Sequence, residues 1–223
     1  MSYLHDRAKV EGKPFSSSYP PVDQYLWATM ENYLGLRKLS FSLARLNGWY
    51  PSTQAGDGYA RIVIPAFSYQ AGNRYWQARA IRRLTPIEPR YQSPHNVSRG
   101  DAFVRVMPSV GTNWFPVIGL VIAEGPMDAL AAAECGFVGV GLMGATPGTD
   151  VLTAVARLRA GMGSPSDSLP GTHMPVAVVA DEGALGAATA IWRHFPGARL
   201  LTTYPYKDLA EMPLDNRRKL LGN

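Results

Sequence analysis

At 223 residues, 46% of them hydrophobic and 17% charged, the chain can bury the core of one large domain or two small ones, and no apolar run reaches the roughly 18 residues of a membrane span. Its single cysteine, Cys135, lies in an apolar stretch, which excludes a disulfide framework and a cysteine-rich zinc site and points to plain core. The net charge of +5 is unevenly spread: residues 1–110 carry 14 Lys/Arg against 7 Asp/Glu, and residues 111–223 carry 8 against 10, so a basic half precedes a mildly acidic one.

The first 23 residues are polar, with a Ser/Pro-rich run from Ser16 to Asp23, and read as a flexible tail. They lack the apolar core of a secretory signal, so a cytoplasmic protein that does not engage membranes is expected. Helical spacing of apolar residues follows over Gln24–Leu34 and Ser40–Leu46, with Ser40 as N-cap and Gly48 as stop. Tyr59–Phe67 (YARIVIPAF) alternates and is β-branched, Gln70–Asn73 is a turn signal, and Tyr75–Ile81 (YWQARAI) is aromatic; together they predict a hairpin. The following Pro89–Pro94 (PRYQSP) reads as a basic, aromatic loop. Arginines interleaved with Tyr and Trp suit a phosphate backbone and stacked bases, or simply a solvated basic surface; of Tyr75 and Trp76, at least one should be core.

The second half changes character. Val117–Ala123, Phe137–Leu142, Pro175–Ala180 and Arg199–Thr203 are apolar enough to be strands covered on both faces. Helical patterns over Met127–Glu134, Asp150–Arg159 and Ala184–Phe195 separate them, and this β-α-β succession predicts a mostly parallel α/β sheet. The polar stretch Gly161–Gly171 is a loop. Gly144–Gly148 (GATPG) precedes a helix, as either a phosphate-approaching loop or an ordinary turn would. The expected organisation is a tail over 1–23, an α+β sub-domain over 24–112 and an α/β domain over 113–223.

Open parallel sheets bind ligands beyond the carboxyl ends of their strands. Glu124 directly follows the first of these strands, Asp181 follows the third, and Asp208 comes shortly after the fourth. Carboxylates gathered there repel one another unless a cation lies between them, and an all-oxygen donor set favours Mg²⁺ or Mn²⁺ over Zn²⁺. Each acid by itself also suits a helix N-terminus.

On these residues the chain resembles a known family. Glu124-Gly125-Pro126-Met127-Asp128, between a buried strand and a helix, resembles the first signature of the Toprim domain of primases, topoisomerases and some nucleases. Asp181-Glu182-Gly183, with Gly186 beyond, resembles the second signature, an Asp-x-Asp, but carries Gly183 in place of the second acid. Lys207-Asp208-Leu209-Ala210-Glu211 resembles a later primase element, again with its second acid replaced, by Ala210. Tyr33–Gly48, Arg61–Pro65, Tyr75–Ile81 and Pro89–Pro94 occur in the order of the basic sub-domain that precedes Toprim in phage and bacterial primases, so the resemblance covers roughly residues 30–215.

The resemblance implies a DNA primase catalytic core that joins ribonucleotides into short primers on single-stranded DNA during phage replication. It implies Glu124, Asp128, Asp181 and Asp208 as catalytic carboxylates, with Glu124, Asp181 and Asp208 holding the metal, and Arg61, Arg79, Arg90 and Lys207 facing template or nucleoside triphosphate. Arginine suits the groove because its fork clamps phosphate oxygens and its plane stacks on bases. The family's zinc module and helicase have no counterpart in the sequence, so a separate zinc-module protein or replicative helicase is the expected partner. Two alternatives follow from the departures at Gly183 and Ala210 and from the shared signatures: a Toprim nuclease, or a non-catalytic module that binds single strands.

Overall fold

The computed structural model describes residues 23–55, 58–70, 72, 74–82, 84–109, 117–162 and 174–222. The expected tail, apart from residue 23, lies outside them, as do most of the expected loop over 161–171 and the expected boundary at 112/113.

Two sheets organise the chain. The first has four antiparallel strands in sequence order, β1 (Tyr50–Ser52), β2 (Arg61–Pro65), β3 (Trp76–Ala80) and β4 (Tyr91–Gln92). Helices α1 (Gln24–Leu36) and α2 (Phe41–Leu46) precede it. As the sequence predicts, the Ser40 hydroxyl accepts from the Leu43 N–H, and Gly48 ends the turn after α2 in the left-handed region at φ +79°. The hairpin of β2 and β3 stands as expected. Two strands of this sheet were not anticipated: β1, whose Pro51 is tolerated because it lies on the sheet edge, and β4, a two-residue edge strand inside the expected Pro89–Pro94 loop.

The second sheet has the order β5-β7-β6-β8-β9, comprising β5 (Val104–Val106), β6 (Leu120–Ala123), β7 (Val138–Gly141), β8 (Val176–Ala180) and β9 (Arg199–Thr202). All neighbours pair in parallel except the edge strand β5, which runs antiparallel to β7. The mostly parallel α/β sheet is therefore present. Val104–Val106 belongs to it although it precedes residue 112. Helices α3 (Pro126–Ala133), α4 (Thr149–Gly161), α5 (Leu185–Trp192) and α6 (Leu214–Leu221) follow, with a 3-10 turn over Leu209–Glu211. Among the described residues no helix is long and apolar enough to cross a membrane.

The sheet's two faces feed separate cores, which explains its near-continuous apolar strands. Val121, Ala177 and Val179 face a central core shared with α1, α2, α3 and Ile62 and Ile64 of β2; Leu120, Ile122, Val176, Val178 and Ala180 face the core under α4 and α5. The chain's two halves are thus joined through a common apolar core. Cys135 belongs to it, 1% exposed, and burial pushes its thiol up to about 11.

Every residue of α3 is buried, and most are small, so it lies very close to β7. A Cβ on Gly139 would come within 1.9 Å of the Ala129 carbonyl oxygen, a backbone atom that can move only with the whole helix. Gly139→Ala is expected to cost about 3 kcal/mol through overpacking, read as a lower midpoint in thermal unfolding.

Candidate functional site

β6, β8 and β9 are immediate parallel neighbours, so their carboxyl ends form one ledge. Glu124 leaves β6 and Asp181 leaves β8. After β9 the chain turns at Thr203, whose N–H donates to the Ala180 carbonyl and whose hydroxyl donates to the Tyr206 carbonyl at 2.9 Å. The Glu182 N–H then donates to the Lys207 carbonyl at 2.8 Å, which ties Lys207 and Asp208 back beside the end of β8. Asp208 caps the 3-10 turn: its Oδ1 accepts from the Glu211 N–H at 2.8 Å. Asp128 rises from the first turn of α3, 4% exposed, and its Oδ1 accepts from the Ala210 N–H at 3.0 Å.

The carboxylates sense one another. Burial raises Asp128 well above the usual carboxylate range, with repulsion from Asp181 and Asp208 added and the Ala210 N–H and Arg37 opposing. Asp181 is pushed up to about 7 by burial, then by Asp208 and Glu124, against the pull of Lys207. Its Oδ1 is buried and has no hydrogen-bond partner among the described residues. A buried, unpartnered carboxylate oxygen beside other acids is a place where a cation would relieve both desolvation and repulsion. The all-oxygen donor set of Glu124, Asp181 and Asp208 fits a hard divalent ion. Among the described residues, however, no three such side chains converge closely enough to enclose one.

The two replaced acids have different surroundings. Gly183 is exposed, with φ +77°, and a Cβ there would meet nothing within 4 Å. Ala210 is fully buried, its N–H given to Asp128 and its carbonyl to Arg217. The neighbouring acids Glu182 and Glu211 are both exposed.

Of the basic residues singled out in the sequence, Lys207 and Arg90 are exposed, whereas Arg61 and Arg79 are interior. Arg61 is 0% exposed, and its guanidinium donates to the Ala78 carbonyl at 3.2 Å and the Pro89 carbonyl at 3.5 Å. As placed, it holds β3 and the loop before β4 from inside the fold, not from an open surface. The reason is the sheet: Arg61 shares its face with Val63 and Ala78, and that face is covered by a small core with Tyr50, Ala55 and Trp76. Trp76, 3% exposed, is core as expected for one of the Tyr75–Trp76 pair.

Arg79 lies on the opposite face, 7% exposed, donating to the Tyr33 hydroxyl at 2.6 Å and the Tyr91 hydroxyl at 2.8 Å. It too has its hydrogen-bond partners inside the fold. Its position is nonetheless close to the site, because Tyr91 senses the charge of Asp128. Burial pushes the Tyr91 phenol up to about 12, which keeps it a neutral partner. Besides Lys207, a basic residue that enters the cluster is Arg37, at the C-terminal end of α1, with Nη2 3.5 Å from Asp208 Oδ2. The sequence reading included its segment but did not single it out.

No protein-family model matches the sequence, and no curated protein is detectably similar to it. Solved structures are. The RNA polymerase domain of Mycobacterium tuberculosis primase DnaG superposes with a TM-score of 0.61 at 15% identity, covering 99% of this chain and 82% of that one. The same domain in complex with a double-stranded DNA oligomer bearing a 6-nucleotide overhang gives 0.60 at 17% identity, covering 98% and 78%. The E. coli primase catalytic core gives 0.59 at 14% identity, covering 99% and 78%. At these identities the likeness is one of fold, and the fold of this chain, an antiparallel sheet packed through a shared core onto a mostly parallel α/β sheet, is that of the DnaG-type primase catalytic core.

Proposed function

We propose that the chain is a DNA primase catalytic core, carrying out divalent-metal-dependent, template-directed synthesis of short RNA primers on single-stranded DNA in phage replication. The observation that carries this reading is the ledge of Glu124, Asp181 and Asp208 at three adjacent strand ends, mutually repelling, on a primase-core fold. In the reaction a 3′-hydroxyl oxygen forms a bond to the α-phosphorus of a ribonucleoside triphosphate, the bond to the β-phosphate bridging oxygen breaks, and pyrophosphate leaves. Bound Mg²⁺ or Mn²⁺ would neutralise the phosphates and lower the barrier to attack.

The chain's own residues take the remaining tasks. Glu124, only half-buried at the end of β6, accepts the proton of the attacking hydroxyl. Asp181 and Asp208 supply oxygen ligands. Asp128 acts through the Ala210 N–H, holding the 3-10 turn that Asp208 caps, which makes it a positioning residue rather than a ligand. Lys207 and Arg90, both exposed, meet triphosphate and template respectively. A separate helicase or zinc-module protein would bring the core to its start site.

One observation favours a second reading. Gly183 and Ala210 stand where the family carries acids, and the remaining carboxylates do not close on one point, as expected of a module that binds single strands without chemistry. The test is incorporation of labelled ribonucleotides on single-stranded DNA with Mg²⁺ or Mn²⁺, comparing the wild type with Glu124→Gln. Template-dependent oligoribonucleotides that fall at least a hundredfold in the variant are expected. Tight DNA binding without product under either metal would replace the primase reading with the binding module, and nicking of DNA without nucleotides would replace it with a nuclease.

A further inference from the structure

We propose that Arg37 is the resident counter-cation of the carboxylate ledge, displaced from Asp208 by the incoming divalent metal and handed over to the phosphates of the nucleotide. The inference rests on the primase reading for the metal and the nucleotide, and on the structure for the contact between Arg37 and Asp208.

Arg37 reaches the ledge from the other half of the chain, pairing with a residue 171 positions away. Its backbone is well anchored. It closes α1, whose Met30 and Leu34 are fully buried, and its N–H donates to the Leu34 and Gly35 carbonyls. The next residue, Lys38, has its carbonyl taken by the buried guanidinium of Arg217. The base of the side chain is therefore fixed while its tip sits among acids: it contacts Asp208 and lowers the cost of charging Asp128.

The tip, by contrast, is loosely held. Among the described residues its one ion-pair contact, to Asp208, is long, at 3.5 Å, and its Nε is buried with no hydrogen-bond partner. A guanidinium offers a fork of N–H donors suited to two phosphate oxygens at once, and most of that capacity goes unused here. Asp208, for its part, keeps Oδ1 on the Glu211 N–H and offers only Oδ2 to Arg37. A metal ion taking Oδ2 would break the pair without disturbing the cap. Arg37 is only 19% exposed, so its released charge would stay at the ledge, where the triphosphate arrives.

A counter-cation and a merely structural arginine predict different metal binding. Removing a positive charge beside the metal's ligands should tighten metal binding, whereas loss of a structural support should loosen it. The experiment titrates Mn²⁺ calorimetrically into the full chain, wild type, Arg37→Gln and Arg37→Lys, without DNA, and separately measures binding of labelled ATP in saturating Mg²⁺ by fluorescence anisotropy. Arg37→Gln is expected to bind Mn²⁺ roughly three- to tenfold more tightly, allowing for partial screening, and ATP about tenfold more weakly. Arg37→Lys keeps the charge but not the fork, so Mn²⁺ affinity should stay near wild type while ATP affinity falls.

Unchanged or weaker Mn²⁺ binding in Arg37→Gln overturns the proposal, and so does a wild type and Arg37→Gln pair that bind no Mn²⁺ at all. Should Arg37→Gln fail to fold, the lysine variant decides: held Mn²⁺ affinity with weakened ATP supports the hand-over, and unchanged ATP affinity refutes it. Failure of the primase reading is visible separately. A wild type that binds Mn²⁺ more weakly than Arg37→Gln yet makes no primers keeps the counter-cation and loses the polymerase.

Discussion

Asp181→Asn is expected to abolish primer synthesis while making the metal-free protein more stable at pH 8. On the proposed primase reading, the loss follows from removing a charged oxygen at the centre of the ledge, where the carboxylates would hold the metal; a drop of at least about a hundredfold is expected in labelled-nucleotide incorporation. The gain follows from the environment that raises Asp181 to about 7: burial first, then Asp208 and Glu124. A folded-state value above the unfolded one means that the native protein holds more protons between about pH 4 and about pH 7. The stability of the wild type without metal therefore falls as pH rises through that window and levels off above about 7.

Asparagine carries no such charge, so the two proteins should melt alike near pH 4 and diverge as the pH rises. The gap at pH 8 is expected to be on the order of 1–2 kcal/mol, since solvent screens part of the carboxylate, or about 3–6 °C in midpoint for a chain of this size. Saturating Mg²⁺ should close it by stabilising only the wild type. Equal melting of the two proteins at pH 8 without metal would remove the electrostatic account of the ledge.

The largest stability effect is expected at Arg217, which belongs to none of the motifs. Its guanidinium is 0% exposed and ties together three segments: Nε donates to the Met212 carbonyl at 2.8 Å, Nη2 to the Ala210 carbonyl at 2.9 Å and the Lys38 carbonyl at 3.3 Å, and Nη1 to Glu134. Glu134 in turn accepts from the Ser40 N–H at the start of α2. Truncation to alanine leaves Glu134 facing burial, which already raises its carboxyl, without its cation, and orphans three carbonyls.

Breaking a buried pair in this way costs about 3–5 kcal/mol, so Arg217→Ala should melt roughly 10 °C or more below wild type. Adding Glu134→Gln should return part of the loss, because it removes the stranded charge, although the carbonyls stay unpaired. A separate consequence reaches the site. The Ala210 peptide that Arg217 holds by its carbonyl is the one that gives its N–H to Asp128, so activity should fall more than the folded fraction does. Thermal unfolding together with primer synthesis below the midpoint checks both.

Much of this architecture was written locally. Buried parallel strands announce themselves because both faces are covered, and β6, β7, β8 and β9 all stand within a few residues of their expected spans. The Ser40 cap and the Gly48 stop depend only on neighbours in the chain. Short edge strands were missed because two or three residues, one of them proline in β1, carry no period. Helix α6 was missed although its signals were present, Pro213 ahead of it and the left-handed Gly222 behind, because its polar sequence LDNRRKLL shows little apolar face.

The placement of the carboxylates at strand ends was legible for the same local reason: an acid after an apolar run sits where a parallel strand stops. Whether an arginine faces solvent or core was not, since one residue's step along a strand changes its face and only the packing says which face is covered. Sequence alone therefore determined the alternation of strands and helices and the row of acids at their ends. The tertiary structure alone decided that Arg61 and Arg79 are interior, that Arg37 meets Asp208 and that Arg217 meets Glu134, because charge pairing between residues 83 to 171 positions apart leaves no periodic trace in the chain.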